Sequence, residues 1–160
     1  MICIGIDPGL SGAVAFIDSR SCVIEDLPTM SLPGNGLVKR KLDAKALADL
    51  VRRHVPPGEV ATVFCEQVRA MGGKNNSLQT QGSLMRTLGA IEGVFEMLRM
   101  PPRMVEPQTW KRFYGLGKEK GESLELARSF YPDAPVKLAK HHNRAEAILI
   151  ARYGMRKVHG

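Results

Sequence analysis

The sequence predicts an α/β protein, a mixed β-sheet flanked by α-helices, on three observations. Short β-branched runs crowd the start of the chain: ICIGI at 2–6, GAVAFID at 12–18 and CVIEDL at 22–27. Pro8-Gly9 turns the first run back into the second, the signature of an antiparallel opening. Beyond residue 43, strand-like runs alternate with helical segments, the pattern of a sheet covered by helices. With 160 residues the chain can bury a core without disulfide staples, so residues 1–160 are expected to form a single domain.

The remaining elements follow in order. PTMSLPGNGLVKRK, 28–41, is rich in Pro and Gly, ends in Lys39-Arg40-Lys41, and reads as an exposed loop. Asp43 caps the helix AKALADLVRRHV, which Pro56-Pro57-Gly58 terminates. VATVFCEQV at 60–68 is the best buried strand in the chain. RAMGGKNNS then has the composition of a mobile surface loop, followed by an amphipathic helix from about Ser77 to Arg99. Its Leu78, Met85, Leu88, Ile91, Val94, Phe95 and Leu98 suffice to cover both the sheet and a partner subunit. PPRMVEP is a short strand and QTWKRFYG a short helix stopped by Gly115. Within it, Trp110 with Phe113 and Tyr114 makes an apolar face, so the tryptophan reads as a packing anchor rather than a base-stacking platform. Helices over Glu119–Tyr131 and Asn143–Tyr153 close the chain.

Charge and cysteines narrow the function. Lys and Arg number 23 against 16 Asp and Glu, a net charge of +7 that favours a polyanionic partner, nucleic acid first. Cys3, Cys22 and Cys65 are widely spaced and lack a C-x-x-C pair, which argues against both a disulfide framework and a zinc site. No opening signal peptide fits, and no apolar stretch approaches the ~18 residues that span a bilayer. The expectation is a cytoplasmic protein with no membrane partner. No G-x-x-x-x-G-K-[ST] or G-x-S-x-G occurs, so P-loop and serine-hydrolase chemistries lack support.

Three acids stand in apolar surroundings: Asp7 after ICIGI, Glu66 after VATVFC, and Glu146 inside AEAILIA. An unpaired carboxylate there would cost several kcal/mol to bury, and clustered carboxylates repel unless they share a proton or bind a cation. Hard divalent cations such as Mg²⁺ take oxygen ligands of this kind. In a basic chain the set suggests two-metal phosphodiester hydrolysis. Each acid also has an ordinary reading. Asp7-Pro8-Gly9 can be a plain turn, Glu66 can pair with an arginine, and Asn143 with Glu146 fits a capping box.

In order along nearly the whole chain, these residues resemble the RuvC family of Holliday-junction resolvases, particularly the bacteriophage-type members. GIDPG at 5–9 is similar to the first acidic motif and CEQV at 65–68 to the second. Asn143-Arg144-Ala145-Glu146-Ala147-Ile148 represents the acidic helix motif. PQTWK at 107–111, GLG at 115–117 and Lys120 resemble the segment carrying basic residues near the active site. GIDPG also opens sugar-kinase and actin-like ATPases, but those need two such domains and a longer chain.

The resemblance implies an RNase H-like fold, a homodimer, and nicking of two opposed strands at four-way junctions in DNA recombination and repair, in a bacterial cell or phage-infected host. It implies two Mg²⁺ per active site, with Mn²⁺ as a substitute. Asp7 would bridge both ions, with Glu66 and Glu146 as further ligands. Lys111 and Lys120 would contact the scissile strand or stabilise transition-state charge, and Lys118, Lys74, Lys39, Arg40 and Lys41 are the other cations expected to face branched DNA. A broader flap or fork nuclease, and a junction-binding protein without catalysis, are the alternatives.

Two departures matter. Where the family carries a fourth acid, or in some members histidine, this chain has Asn143, with His142 just before it. Both are candidate catalytic and metal-ligating residues, because i−3 and i−4 positions on a helix face Glu146. In the loop after Glu66, where some members carry an aromatic wedge, this chain has Arg69, with Met71 nearby as an apolar wedge.

Overall fold

The structure, a computed structural model, describes residues 1–36, 38–69 and 77–159, excluding the side chains of Lys120 and His159. Seven strands and five helices are described: β1 Ile2–Asp7, β2 Ala13–Ile17, β3 Cys22–Asp26, β4 Thr29–Ser31, β5 Arg40–Leu42, α1 Ala44–His54, β6 Ala61–Glu66, α2 Leu78–Met97, β7 Arg103–Val105, α3 Pro107–Phe113, α4 Lys120–Phe130 and α5 His142–His159. A five-stranded mixed sheet has the order β3-β2-β1-β6-β7. β1, β2 and β3 run antiparallel, whereas β6 lies parallel to β1 and β7 parallel to β6.

Side chains alternate between the two faces of a strand, so β1 divides its residues between two cores. Ile2, Ile4 and Ile6 pack with Leu47, Leu50 and Val51 of α1 and with Leu88, Ile91 and Phe95 of α2. Cys3 lies on the opposite face with Ala13, Ala15, Phe64, Trp110 and the apolar run of α5. Small residues at the centre of that face, Cys3, Gly5, Ala13 and Ala15, let α5 approach closely. At Gly5 the approach leaves no room for a side chain. A Cβ there would stand 2.2 Å from the Ala151 nitrogen and 2.3 Å from the Ala147 carbonyl oxygen.

Arg144 fixes the start of α5 laterally. Its Nε and one terminal nitrogen each donate to an Asp26 carboxylate oxygen at 2.7 Å, tying the helix to the end of β3. Tyr114 donates to the Leu149 carbonyl at 3.2 Å and joins α3 to the same helix.

Two expectations are corrected. Residues 28–41 are not wholly loop, because β4 and β5 pair as a separate two-stranded sheet with Thr29 opposite Leu42 and Ser31 opposite Arg40. Strands of only three residues, Thr-Met-Ser and Arg-Lys-Leu, carry too little periodicity to be recognised. Nor does Asn143 cap a helix. A 3₁₀ turn over Ala139–His141 leads straight into α5 at His142, so Asn143 is already helical and Glu146 is not its capping partner. Among the described residues, no helix is long and apolar enough to cross a membrane.

Candidate metal centre

The parallel pairing of β1 with β6 brings two of the acids together. The ladder runs from Ile2 opposite Ala61 to Ile6 opposite Cys65, so the next residues, Asp7 and Glu66, end neighbouring strands. Asp7 shares the face of Cys3 and Gly5, and Glu66 that of Phe64; both therefore point toward α5. The close seat of α5 on Gly5 supplies the third. One ligand oxygen each from Asp7, Glu66 and Glu146 lie within 4.8 Å of one another, the group that could hold a metal ion among the described residues.

The electrostatics of the three are severe. At 4.8 Å, two unit charges repel by roughly 3 kcal/mol at an effective dielectric constant near 20. Three such pairs would consume most of the ~5–15 kcal/mol stability of a domain. Burial pushes the Asp7 carboxyl well above the usual range, and the charges of Glu66 and Glu146 push it further, against an opposing pull from Lys111. Burial also raises Glu66, partly offset by a hydrogen bond from Trp110.

Two neighbours compensate. The Lys111 ammonium lies 3.1 Å from Glu146 Oε1. Trp110, fully buried, donates its indole N–H to Glu66 Oε2 at 2.8 Å. The tryptophan is thus the packing anchor expected, and it also orients a carboxylate. A buried indole needs a hydrogen-bond acceptor, but which one is invisible in sequence.

The donor set fits a hard divalent cation. Three convergent carboxylates, without thiol or imidazole among them, are the oxygen-rich environment that Mg²⁺ and Mn²⁺ prefer, and their mutual repulsion is what a cation would neutralise.

The other sequence candidates are distributed around this centre. Asn143 donates its amide to the Ser11 carbonyl at 2.7 Å, linking α5 to the turn after β1. His142 opens α5, one turn before Glu146, and is not in the convergent group. Lys118 is exposed and shares a surface depression with Lys111 and Arg112. Arg69 pairs with Glu106, the residue preceding α3. Lys39, Arg40 and Lys41 lie at and beside β5, outside the convergent group, and Arg40 is braced against Thr29. Met71 and Lys74, like the Lys120 side chain, lie outside what is described.

No protein-family model and no curated protein sequence matches the chain. Solved structures do. The structure of Thermus thermophilus RuvC superposes with a TM-score of 0.58 at 16% identity, covering 99% of this chain and 97% of that one. T. thermophilus RuvC in complex with Holliday junction substrate gives a TM-score of 0.60 at 16% identity, covering 98% and 96%. The mixed five-stranded sheet with flanking helices is therefore the RNase H-like architecture of RuvC.

Proposed function

We propose that the chain is a structure-selective endodeoxyribonuclease, dependent on divalent cations, that resolves four-way DNA junctions by paired symmetric nicks. The observation that carries the reading is the convergence of Asp7, Glu66 and Glu146 at one end of a sheet whose fold is that of a protein solved on a Holliday junction. The net charge of +7 supports a polyanionic substrate.

Asp7, Glu66 and Glu146 would hold the cations, two Mg²⁺ or in their place Mn²⁺, with Asn143 or His142 completing the donor set. When bound, such ions supply an activated water and neutralise charge on the leaving oxygen. The chain's own residues prepare the site. Trp110 occupies one Glu66 oxygen and so fixes the direction of the other. Lys111, held over the Trp110 ring at 5.2 Å and beside Glu146, is placed to exchange that carboxylate for a phosphate oxygen of the scissile strand. Lys120 would add a second positive charge, and Lys118 and Arg69 would contact the flanking backbone.

A homodimer suits this substrate, because two equivalent sites then face two equivalent strands. Leu88, Ile91 and Phe95 of α2 pack in the core, whereas Leu78 and Met97, at the two ends of the helix, stay exposed; α2 would be the element that meets a second copy.

Glu66→Gln and Asp7→Asn test the assignment. Each is expected to reduce nicking roughly a hundredfold or more. Junction affinity, which rests on cation–phosphate contacts spread over the surface, should stay within about threefold. Retained nicking, or loss of nicking that simply follows loss of the folded state in a melting curve, would defeat the assignment.

A further inference from the structure

A second site lies on the other side of the turn that follows Asp7. Two adjoining depressions of about 440 and 370 Å³ run between the β4–β5 hairpin and α2, sharing Val38, Arg40, Ser83 and Thr87. Lys41 and Arg86 line the first, Lys39 the second. No aspartate or glutamate lines either depression. Among the described residues none of these four cations has a carboxylate partner.

One of the cations is also held in place. Thr29 accepts from the Arg40 guanidinium through its hydroxyl at 2.8 Å and its carbonyl at 3.0 Å. Leu42, at the end of β5, is buried in the core shared with α2 and so fixes the hairpin over that helix. The groove continues toward the carboxylates. Leu10, three residues beyond Asp7, lines its near end, and Leu84 of α2 reaches to 3.9 Å from where a Gly9 Cβ would stand.

We propose that this groove is a second phosphate-binding site, in which Lys39, Arg40, Lys41 and Arg86 hold the sugar-phosphate backbone of a DNA arm as it leaves the cleavage centre across the end of the sheet. The proposal rests on the nuclease reading for its substrate, but the groove itself is defined by its uncompensated charge. A polyanion gains from several such cations at once, by releasing the counterions condensed on its phosphates. Ser83, at the middle of the groove, offers a hydroxyl of the kind that commonly contacts phosphate.

The test is the salt dependence of DNA binding by an Arg86→Gln, Lys41→Gln double variant, measured by fluorescence anisotropy on a labelled four-way junction in EDTA, where nothing is cut. Each lost phosphate contact lowers the slope of log affinity against log salt by about 1, so a decrease of about 2 is expected, with weaker binding and an unchanged melting temperature. Ser83→Glu, which places an anion in the same groove, should weaken binding in the same direction. Parental slope and affinity in both variants would overturn the proposal. So would a change of molecular mass in sedimentation with the slope intact, which would make the groove a contact between copies. Nicking by the parent protein in Mg²⁺, run in parallel, separates the two claims. A parent that nicks while the variants bind normally leaves the nuclease reading standing without the groove, and a reduced slope beside a parent that never nicks leaves the groove without the nuclease.

Discussion

Asp7 sits in the most demanding electrostatic setting of the three acids. It is buried, faces two other carboxylates, and has only Lys111 nearby to offset them. Without a cation, burial and the charges of Glu66 and Glu146 favour the neutral form of Asp7, and burial disfavours ionisation of Glu66. Both carboxyls are raised relative to the unfolded chain, where they titrate near pH ~4, so above that pH the folded state binds more protons than the unfolded one. Stability from these groups is complete below pH ~4 and declines as pH rises through the elevated values. Metal-free protein is therefore expected to melt at lower temperature as pH rises above ~4. Millimolar Mg²⁺ or Mn²⁺ should restore the melting temperature most at the high end, because a cation binding only the folded state stabilises by mass action and favours ionised ligands. Differential scanning fluorimetry with and without EDTA reads both trends. A flat metal-free profile, or one that rises with pH, would contradict the electrostatic account.

Among the elements, α5 does most to build the site. Three residues of its apolar run, Ile148, Leu149 and Ile150, are fully buried, and each contributes up to about 1.5–3 kcal/mol relative to exposure. That packing carries Glu146 to its position, and its close approach depends on Gly5. Gly5→Ala would force backbone atoms apart rather than side chains. It should cost about 3 kcal/mol or more, above the usual range for overpacking, and should lower Mg²⁺ affinity in whatever folded fraction remains. Urea denaturation and cation titration measure the two effects, and a variant as stable as the parent would refute the close-packing argument. The anomaly of Glu146 was legible in sequence because a lone charge interrupts an unbroken apolar run. The role of Gly5 was not, since GIDPG offers a turn as a sufficient reason for its glycines. The β4–β5 hairpin was illegible for the opposite reason, being too short and polar to stand out from a loop.

At the scale of the whole molecule, the sheet order converts three distant acids into one centre. Asp7, Glu66 and Glu146 come together only because β6 pairs parallel to β1 and α5 returns across both. Sequence identified all three by their apolar surroundings, and the resemblance placed them in one motif set. It could not supply their distances, the Trp110 hydrogen bond to Glu66, or the Lys111 contact with Glu146. Arg86 was equally hidden, because one arginine on an amphipathic helix looks like an ordinary solvated charge until the hairpin is folded over it. The function proposed for this fold and this centre is the cutting of branched DNA. The most direct measurement incubates the purified protein with a four-way junction labelled on each strand in turn, in Mg²⁺ and in EDTA, and resolves the products on a denaturing gel. Paired nicks at symmetric positions on two opposed strands, present in Mg²⁺ and absent in EDTA, are the result expected. A junction bound and retarded but left intact in both Mg²⁺ and Mn²⁺ would contradict it and leave a binding protein in place of an enzyme.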